Sequence, residues 1–176
     1  MICSTPTPTF EFPNSQSCYK LARKYYNFGQ FADAIELLSV ILSLHPNCAK
    51  ILNKRGNAYH KLGRYTEALA DYDRVVEIQP NSAQAWHNRA RTLTKLAKYA
   101  EALQSSNRAI ALNPNYAQAW RSRGIALAYL KRYEGAIACF EAALKLDPNL
   151  KAAKLHRESC QKKVPHSKNK MLSVTT

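Results

Sequence analysis

The chain has 176 residues; 46% are apolar, 22% are charged and only five are glycine. That composition suffices for one domain or one short repeat array, and polar residues break the apolar runs every three or four positions, which disfavours a strand-rich fold. With a formal charge of +14 and no apolar run near the roughly 20 residues of a membrane span, the chain is expected to be cytoplasmic and to favour acidic partners: acidic protein segments, nucleic acid or anionic lipid.

The first residues, Met1 to Pro13, read MICSTPTPTFEFP. They lack the basic start and apolar run of a secretory signal, and residues 1–14 are expected to form a disordered tail. From there the sequence repeats. Pro46, Pro80, Pro114 and Pro148 are spaced by 34 residues, and each is followed by asparagine (Asn47, Asn81, Asn115, Asn149). Residues 15–48, 49–82, 83–116 and 117–150 therefore stack as four repeats without gaps. Four columns run in phase: Ala34, Ala68, Ala102 and Ala136; Phe31, Tyr65, Tyr99 and Tyr133; Ala22, Gly56, Ala90 and Gly124; Leu44, Ile78, Leu112 and Leu146.

Each repeat is expected to form two helices. The first, or A, helices fall near 15–28, 49–62, 83–96 and 117–130; the second, or B, helices fall near 31–44, 65–78, 99–112 and 133–146. The turns Phe28-Gly29-Gln30 and Leu62-Gly63-Arg64 offer a left-handed backbone at the end of the A helix, and the Pro-Asn pairs end the B helices. Small residues in the A and B columns let the two axes approach, and a single hairpin cannot bury its apolar face alone, so neighbours must stack. Residues 151–164 continue helically with a thin apolar stripe, as a capping helix would. Residues 165–176 form a second, basic tail expected to be disordered.

These residues resemble the tetratricopeptide repeat family. Trp120, Gly124, Tyr133, Ala136, Phe140 and Pro148 match its pattern in the fourth repeat; Leu52, Gly56, Tyr59, Ala68, Tyr72 and Pro80 do so in the second. Cys18 and Ala22 depart from it in the first repeat and Ser106 in the third, where looser packing is expected. The resemblance implies an all-α, right-handed α-solenoid of antiparallel helix pairs, with A helices lining a concave groove and B helices on the convex side. It implies a protein-binding scaffold, adaptor or assembly factor and no enzyme.

Charge is sorted between the two layers. The four A segments contain no Asp or Glu and twelve Lys or Arg, whereas the B segments with their turns hold nine acids and seven bases. Helical spacing directs Lys20, Arg23, Lys50, Lys54, Lys61, Arg91, Lys95 and Arg121 toward the groove, accompanied by Asn57, His87 and Asn88. His60 and the tyrosines Tyr19, Tyr26 and Tyr129 belong to the same face. Asparagine can hydrogen-bond a peptide backbone as donor and acceptor, and the cations attract carboxylates. The expected partner is thus a protein bearing an acidic peptide segment. Charging of His60 and His87 would tighten binding below about pH 6.5. Arg55, Arg89 and Arg123 share one column and are expected to be structural, with Asp71 and Asp73 as partners.

Some family members carry a clamp for two carboxylates at a peptide C-terminus. Only Asn57 and Asn88 match it here, and its basic residues are missing. Two alternatives use the same array: single-stranded nucleic acid held by phosphate contact and stacking on tyrosine, and self-association. Trp86 and Trp120 sit in a packing column, which weighs against stacking. The five histidines have no nucleophile, metal-ligand spacing or carboxylate pair arranged around them, and no Gly-rich phosphate loop exists; no cofactor or metal is expected. Cys3, Cys18, Cys48, Cys139 and Cys160 are scattered, odd in number and without Cys-x-x-Cys, and read as reduced thiols.

Overall fold

A computed structural model describes residues 13–164; residues 1–12 and 165–176 of the two expected tails lie outside the described residues, whereas Pro13 and Asn14, placed in the first tail by the sequence, already belong to a helix. Among the described residues there are nine helices and no strand: α1 (Pro13–Asn27), α2 (Phe31–Leu44), α3 (Ala49–Lys61), α4 (Tyr65–Ile78), α5 (Ala83–Lys95), α6 (Tyr99–Leu112), α7 (Ala117–Tyr129), α8 (Tyr133–Leu146) and α9 (Lys151–Gln161). Helix α1 begins at Pro13, a position where the missing N–H has no intrahelical partner to lose. Each helix packs on the one before and the one after it in sequence, so the chain is an all-α repeat solenoid.

Every A-to-B turn is built alike. The N–H of Gln30 donates to the Tyr25 carbonyl at 2.9 Å and that of Gly29 to Tyr26 at 3.1 Å; the pairs Arg64–Tyr59, Lys98–Leu93 and Arg132–Leu127 repeat the longer bond at 2.9 Å. This double closure needs a left-handed residue just past the helix end. Gly29 and Gly63 supply it at φ +79° and +76°, and Ala97 and Lys131 are held there at φ 57° and 59°. At the other end of the hairpin, the Trp86 indole N–H donates to the Pro80 carbonyl at 2.9 Å and that of Trp120 to Pro114 at 2.8 Å. The two tryptophans thus tie the inter-repeat turn to the next A helix and act as packing residues.

The hairpins close by trading volume between two columns. A methyl group on Gly56 would lie 3.0 Å from the Tyr72 ring, and one on Gly124 would lie 2.6 Å from the Phe140 ring. Where the A helix carries alanine instead, the B helix carries a smaller partner: Leu38 faces the column of Ala22, and Ser106 that of Ala90. Ser106 is fully buried, and its hydroxyl donates to the Ala102 carbonyl at 2.7 Å, so replacing an aromatic ring there leaves no unmet polar group.

Cys48, at the junction of the first two repeats, is disulfide-bonded. This corrects the expectation of five reduced thiols, because sequence spacing does not reveal which sulfurs meet in space. Cys139 and Cys160 carry buried thiols and Cys18 a half-buried one.

Three outcomes follow from the turns and the columns. Gly124→Ala should destabilise the fold by about 1–3 kcal/mol through overpacking, with recovery in the Gly124→Ala, Phe140→Leu double variant. Gly56→Ala should be close to neutral, since its milder contact is offset by the about 1 kcal/mol helix preference of alanine over glycine. Ala97→Gly should stabilise by about 1 kcal/mol by removing left-handed strain. Urea unfolding midpoints followed by circular dichroism measure all of these; a Gly124→Ala variant as stable as the parent would refute the close approach.

Candidate functional site

Successive A helices come into contact, α5 with α7 and α7 with α9. The charge of Arg91 on α5 reaches Tyr26 on α1, His60 on α3 and Arg121 on α7. The A helices therefore converge on the inner, concave side, and Arg91 sits at its middle. That convergence separates the basic residues of the A layer into two sets.

The first set faces the B helices. Arg55 donates from Nε and Nη2 to the two carboxylate oxygens of Asp71 at 2.9 and 2.7 Å, and from Nη1 to Ser39 at 3.0 Å. Arg89 donates to Asp73 at 2.6 Å and to Ser105 at 2.7 Å. Each arginine bridges residues sixteen positions before and after it, one on each flanking B helix. Burial pushes the Asp71 carboxyl above its ordinary range even though Arg55 pulls it down. Arg123 occupies the same column but meets Asn107 and Cys139 at those offsets; its guanidinium lies over the Trp120 ring at 5.5 Å. This column belongs to the packing of the solenoid.

The second set faces the hollow. Arg23, Lys50 and Lys54 line a cavity of about 370 Å³ together with Tyr19, Ala22, Tyr26, Asn27 and Leu38. The ammonium of Lys50 lies 5.5 Å from the centre of the Tyr19 ring and that of Lys54 5.7 Å from the Tyr26 ring. Further along, Arg91 and Arg121 are half-buried, and their buried Nε atoms have no hydrogen-bond partner among the described residues. Burial, and then the charge of Arg91, hold the Arg121 guanidinium below its ordinary pKa. The ion pairs among the described residues use Arg55, Arg64, Arg74, Arg89 and Lys98; neither Arg91 nor Arg121 is in one. Lys61 and Lys95 are exposed and close enough to His60 to depress its pKa. Lys20 is exposed on α1 and is not among the residues lining the cavity.

The polar residues of this face are committed to one another. Asn57 accepts a 2.7 Å hydrogen bond from the Tyr72 hydroxyl. Asn88 is buried and donates to Asn53 at 3.0 Å. His87, only 6% exposed, is hydrogen-bonded through Nδ1 to the Ser122 hydroxyl at 3.2 Å and packs edge-on against Tyr116 at 5.1 Å. His87 is thus a core residue of the groove floor and not a surface one. Burial first, then the charges of Arg91 and Arg121, lower its pKa to about 4; burial, Arg91, Lys95 and Lys61 do the same for His60. Both rings stay neutral near pH 6.5, which removes the expected tightening of binding below that pH.

Tyr72 and Tyr116 escaped the sequence reading. Tyr72 belongs to a B helix, yet burial and the neighbouring Arg91 both act on its hydroxyl. Tyr116 stands in the last column of its repeat, where the other repeats carry Cys48, Ser82 and Leu150; its size against those neighbours is the one signal that could have flagged it.

Helix hairpins of one length, stacked so that an acid-free layer lines the hollow, define a helical-repeat solenoid. The chain belongs to the tetratricopeptide repeat family: family models described as tetratricopeptide repeat match residues 19–83, 89–160 and 71–104. No curated protein matches its sequence. Solved structures do. It is similar to the first tetratricopeptide domain of Spaghetti (RPAP3) bound to the HSP90 peptide SRMEEVD, with 33% identity over 65% of this chain and 90% of that one, at a TM-score of 0.63. The second such domain of human RPAP3, in complex with the HSP70 peptide SGPTIEEVD, is 32% identical over 62% and 92%, at a TM-score of 0.60. MamA from Desulfovibrio magneticus RS-1 shares the fold, with a TM-score of 0.73 over 86% and 95% at 21% identity. Among the described residues no helix is long and apolar enough to cross a membrane, and no group of three or more His, Cys, Asp or Glu could hold a metal ion.

The lowered histidine pKa values set a pH dependence of stability. The unfolded chain takes up protons on His60 and His87 below about pH 6.5, while the folded chain resists until about pH 4. Stability should therefore be fully present above pH 6.5 and fall as pH drops from 6.5 to 4, by up to about 1.4 kcal/mol per pH unit for each ring. His87→Asn, which can still bond Ser122, should flatten that slope in urea titrations across the window. An unchanged slope would contradict the burial of the ring.

Proposed function

We propose that this chain is a non-catalytic protein-interaction module, a scaffold, adaptor or assembly factor, that holds an acidic segment of a partner protein along its concave face. The observation that carries this reading is the pair Arg91 and Arg121, half-buried on an acid-free surface without an internal carboxylate. A folded chain does not ordinarily leave such groups uncompensated, and carboxylates of a bound segment would compensate them. Arg23, Lys50 and Lys54 extend the cationic track to the first repeat, where the cavity between Tyr19 and Tyr26 has room for a partner side chain. The peptides carried by the related RPAP3 domains, SRMEEVD and SGPTIEEVD, are themselves acidic, which supports the same chemistry here.

The mode of capture differs from a clamp on a peptide C-terminus. Asn57 and Asn88, the two positions that match that clamp, are occupied by Tyr72 and Asn53. The acidic groups that matter are therefore side chains within the segment. The rigid stacking of the hairpins confines the ordering cost to the peptide, and the largely neutral His60 and His87 leave binding insensitive to pH between about 5.5 and 8.

Fluorescence anisotropy with a labelled Asp/Glu-rich peptide tests the proposal. Affinity should fall steadily with added salt. Lys54→Glu, Arg91→Glu and Arg121→Glu combined should weaken binding by about 2–4 kcal/mol, roughly 30- to 1000-fold, with the helical circular dichroism spectrum retained. Arg108→Glu, on the exposed side of α6, should leave affinity unchanged. Salt-independent binding, or capture that survives the triple reversal, would overturn it.

A further inference from the structure

We infer that Arg91 and Arg121 together form a site for a phosphoryl group, so that the segment held by the concave face is read at a phosphorylated side chain. This assignment rests on the concave face being the partner-binding surface and names the group that its centre takes.

The chain itself shows how many acceptors an arginine of this fold requires. Arg55 is satisfied by one carboxylate, through Nε and Nη2, plus one hydroxyl. Arg91 and Arg121 present two such forks from the adjacent helices α5 and α7, which touch one another, and no carboxylate meets either. Their Nε atoms are buried and have no hydrogen-bond partner among the described residues, as is also true of Arg123 and Arg157. One carboxylate offers a single charge and two oxygens to this doubled donor set. A phosphoryl group near neutral pH offers close to two negative charges and three acceptor oxygens, and paired planar forks suit it.

The surroundings fit the same ligand. No Asp or Glu occurs on α1, α3, α5 or α7 to repel a dianion. The Tyr72 and Tyr116 hydroxyls both lie within the field of Arg91, and the Tyr72 hydroxyl, which donates to Asn57, is also hydrogen-bonded to the Arg91 guanidinium. The guanidinium groups of Arg89 and Arg123 lie over the Trp86 and Trp120 rings, which competes with base stacking there and favours a phosphorylated protein segment over single-stranded nucleic acid.

The test uses the full chain and three probes: an acetylated, amidated nonamer of alternating aspartate and glutamate whose central residue is serine, glutamate or phosphoserine. Capping both ends withholds a terminal carboxylate. At pH 7.4 the phosphoserine peptide should bind about 10- to 100-fold tighter than the serine peptide, with the glutamate peptide close to the latter. The advantage should shrink at pH 5, where the phosphate becomes a monoanion. Arg91→Lys with Arg121→Lys keeps the charge and loses the forks; it should reduce the phosphate advantage to under about threefold while changing the serine peptide by less than about threefold.

Inorganic phosphate provides an independent readout. In nitrogen-15 spectra it should shift the Nε–Hε signals of Arg91 and Arg121 and leave those of Arg55 and Arg89, which are already saturated, in place. Equal binding of the three peptides would overturn the phosphate assignment and leave the acidic-segment reading standing. Failure of all three peptides while phosphate still shifts Arg91 and Arg121 would overturn that reading and keep the anion site. An oligothymidylate of eight nucleotides that binds more tightly than the phosphoserine peptide, or phosphate that moves neither arginine, would overturn the inference.

Discussion

The structure depends on the close approach of two helices within each hairpin. At Gly56 and Gly124 the A helix has no side chain, and the rings of Tyr72 and Phe140 fill the space against its backbone. The same two columns, filled by alanine against Leu38 or Ser106 in the other repeats, recur every 34 residues and keep the hairpins in one phase, so each can lend its apolar face to the next. The A-layer helices α5, α7 and α9 also touch one another in turn, which gathers the cations of α5 and α7 on one side of the stack.

Curvature also separates arginines that look alike in composition. Arg55 and Arg89 point between B helices and find carboxylates and hydroxyls on both flanks. Breaking such a pair would strand a buried charge, so they belong to folding energetics. Arg91 and Arg121 lie on α5 and α7, which carry no acids themselves, and their fields add at His87. Their influence is visible on groups from four other helices or turns: the histidines are driven toward neutrality and the tyrosines are held against ionisation mainly by burial. This surface disfavours protonation of its histidines and carries two guanidinium groups without a carboxylate partner among the described residues.

Much of this was legible in the order of residues. The 34-residue period located all helices, and α2, α4, α6 and α8 begin and end where the columns place them. The absence of acids from the A segments foretold a cationic layer, and the shared column of Arg55 and Arg89 with Asp71 and Asp73 within reach foretold their pairing. Three things were hidden. His87 and Asn88 read as polar groove residues, yet neighbouring repeats close over them. Tyr72 reads as pure core, yet its hydroxyl reaches the concave side. Cys48 reads as one thiol among five, yet it is disulfide-bonded.

What the sequence determined by itself is everything local and periodic: helix length, the phase of the hairpins, the left-handed turns and the division of charge between layers. These depend on contacts between residues a fixed, short distance apart along the chain, so a repeating pattern records them directly. Only the tertiary structure decided which polar groups are spent internally and which remain available. That outcome depends on where side chains from helices one and two repeats apart arrive once the stack curves, and only there does the charge of Arg91 come to act on Arg121 of the next repeat.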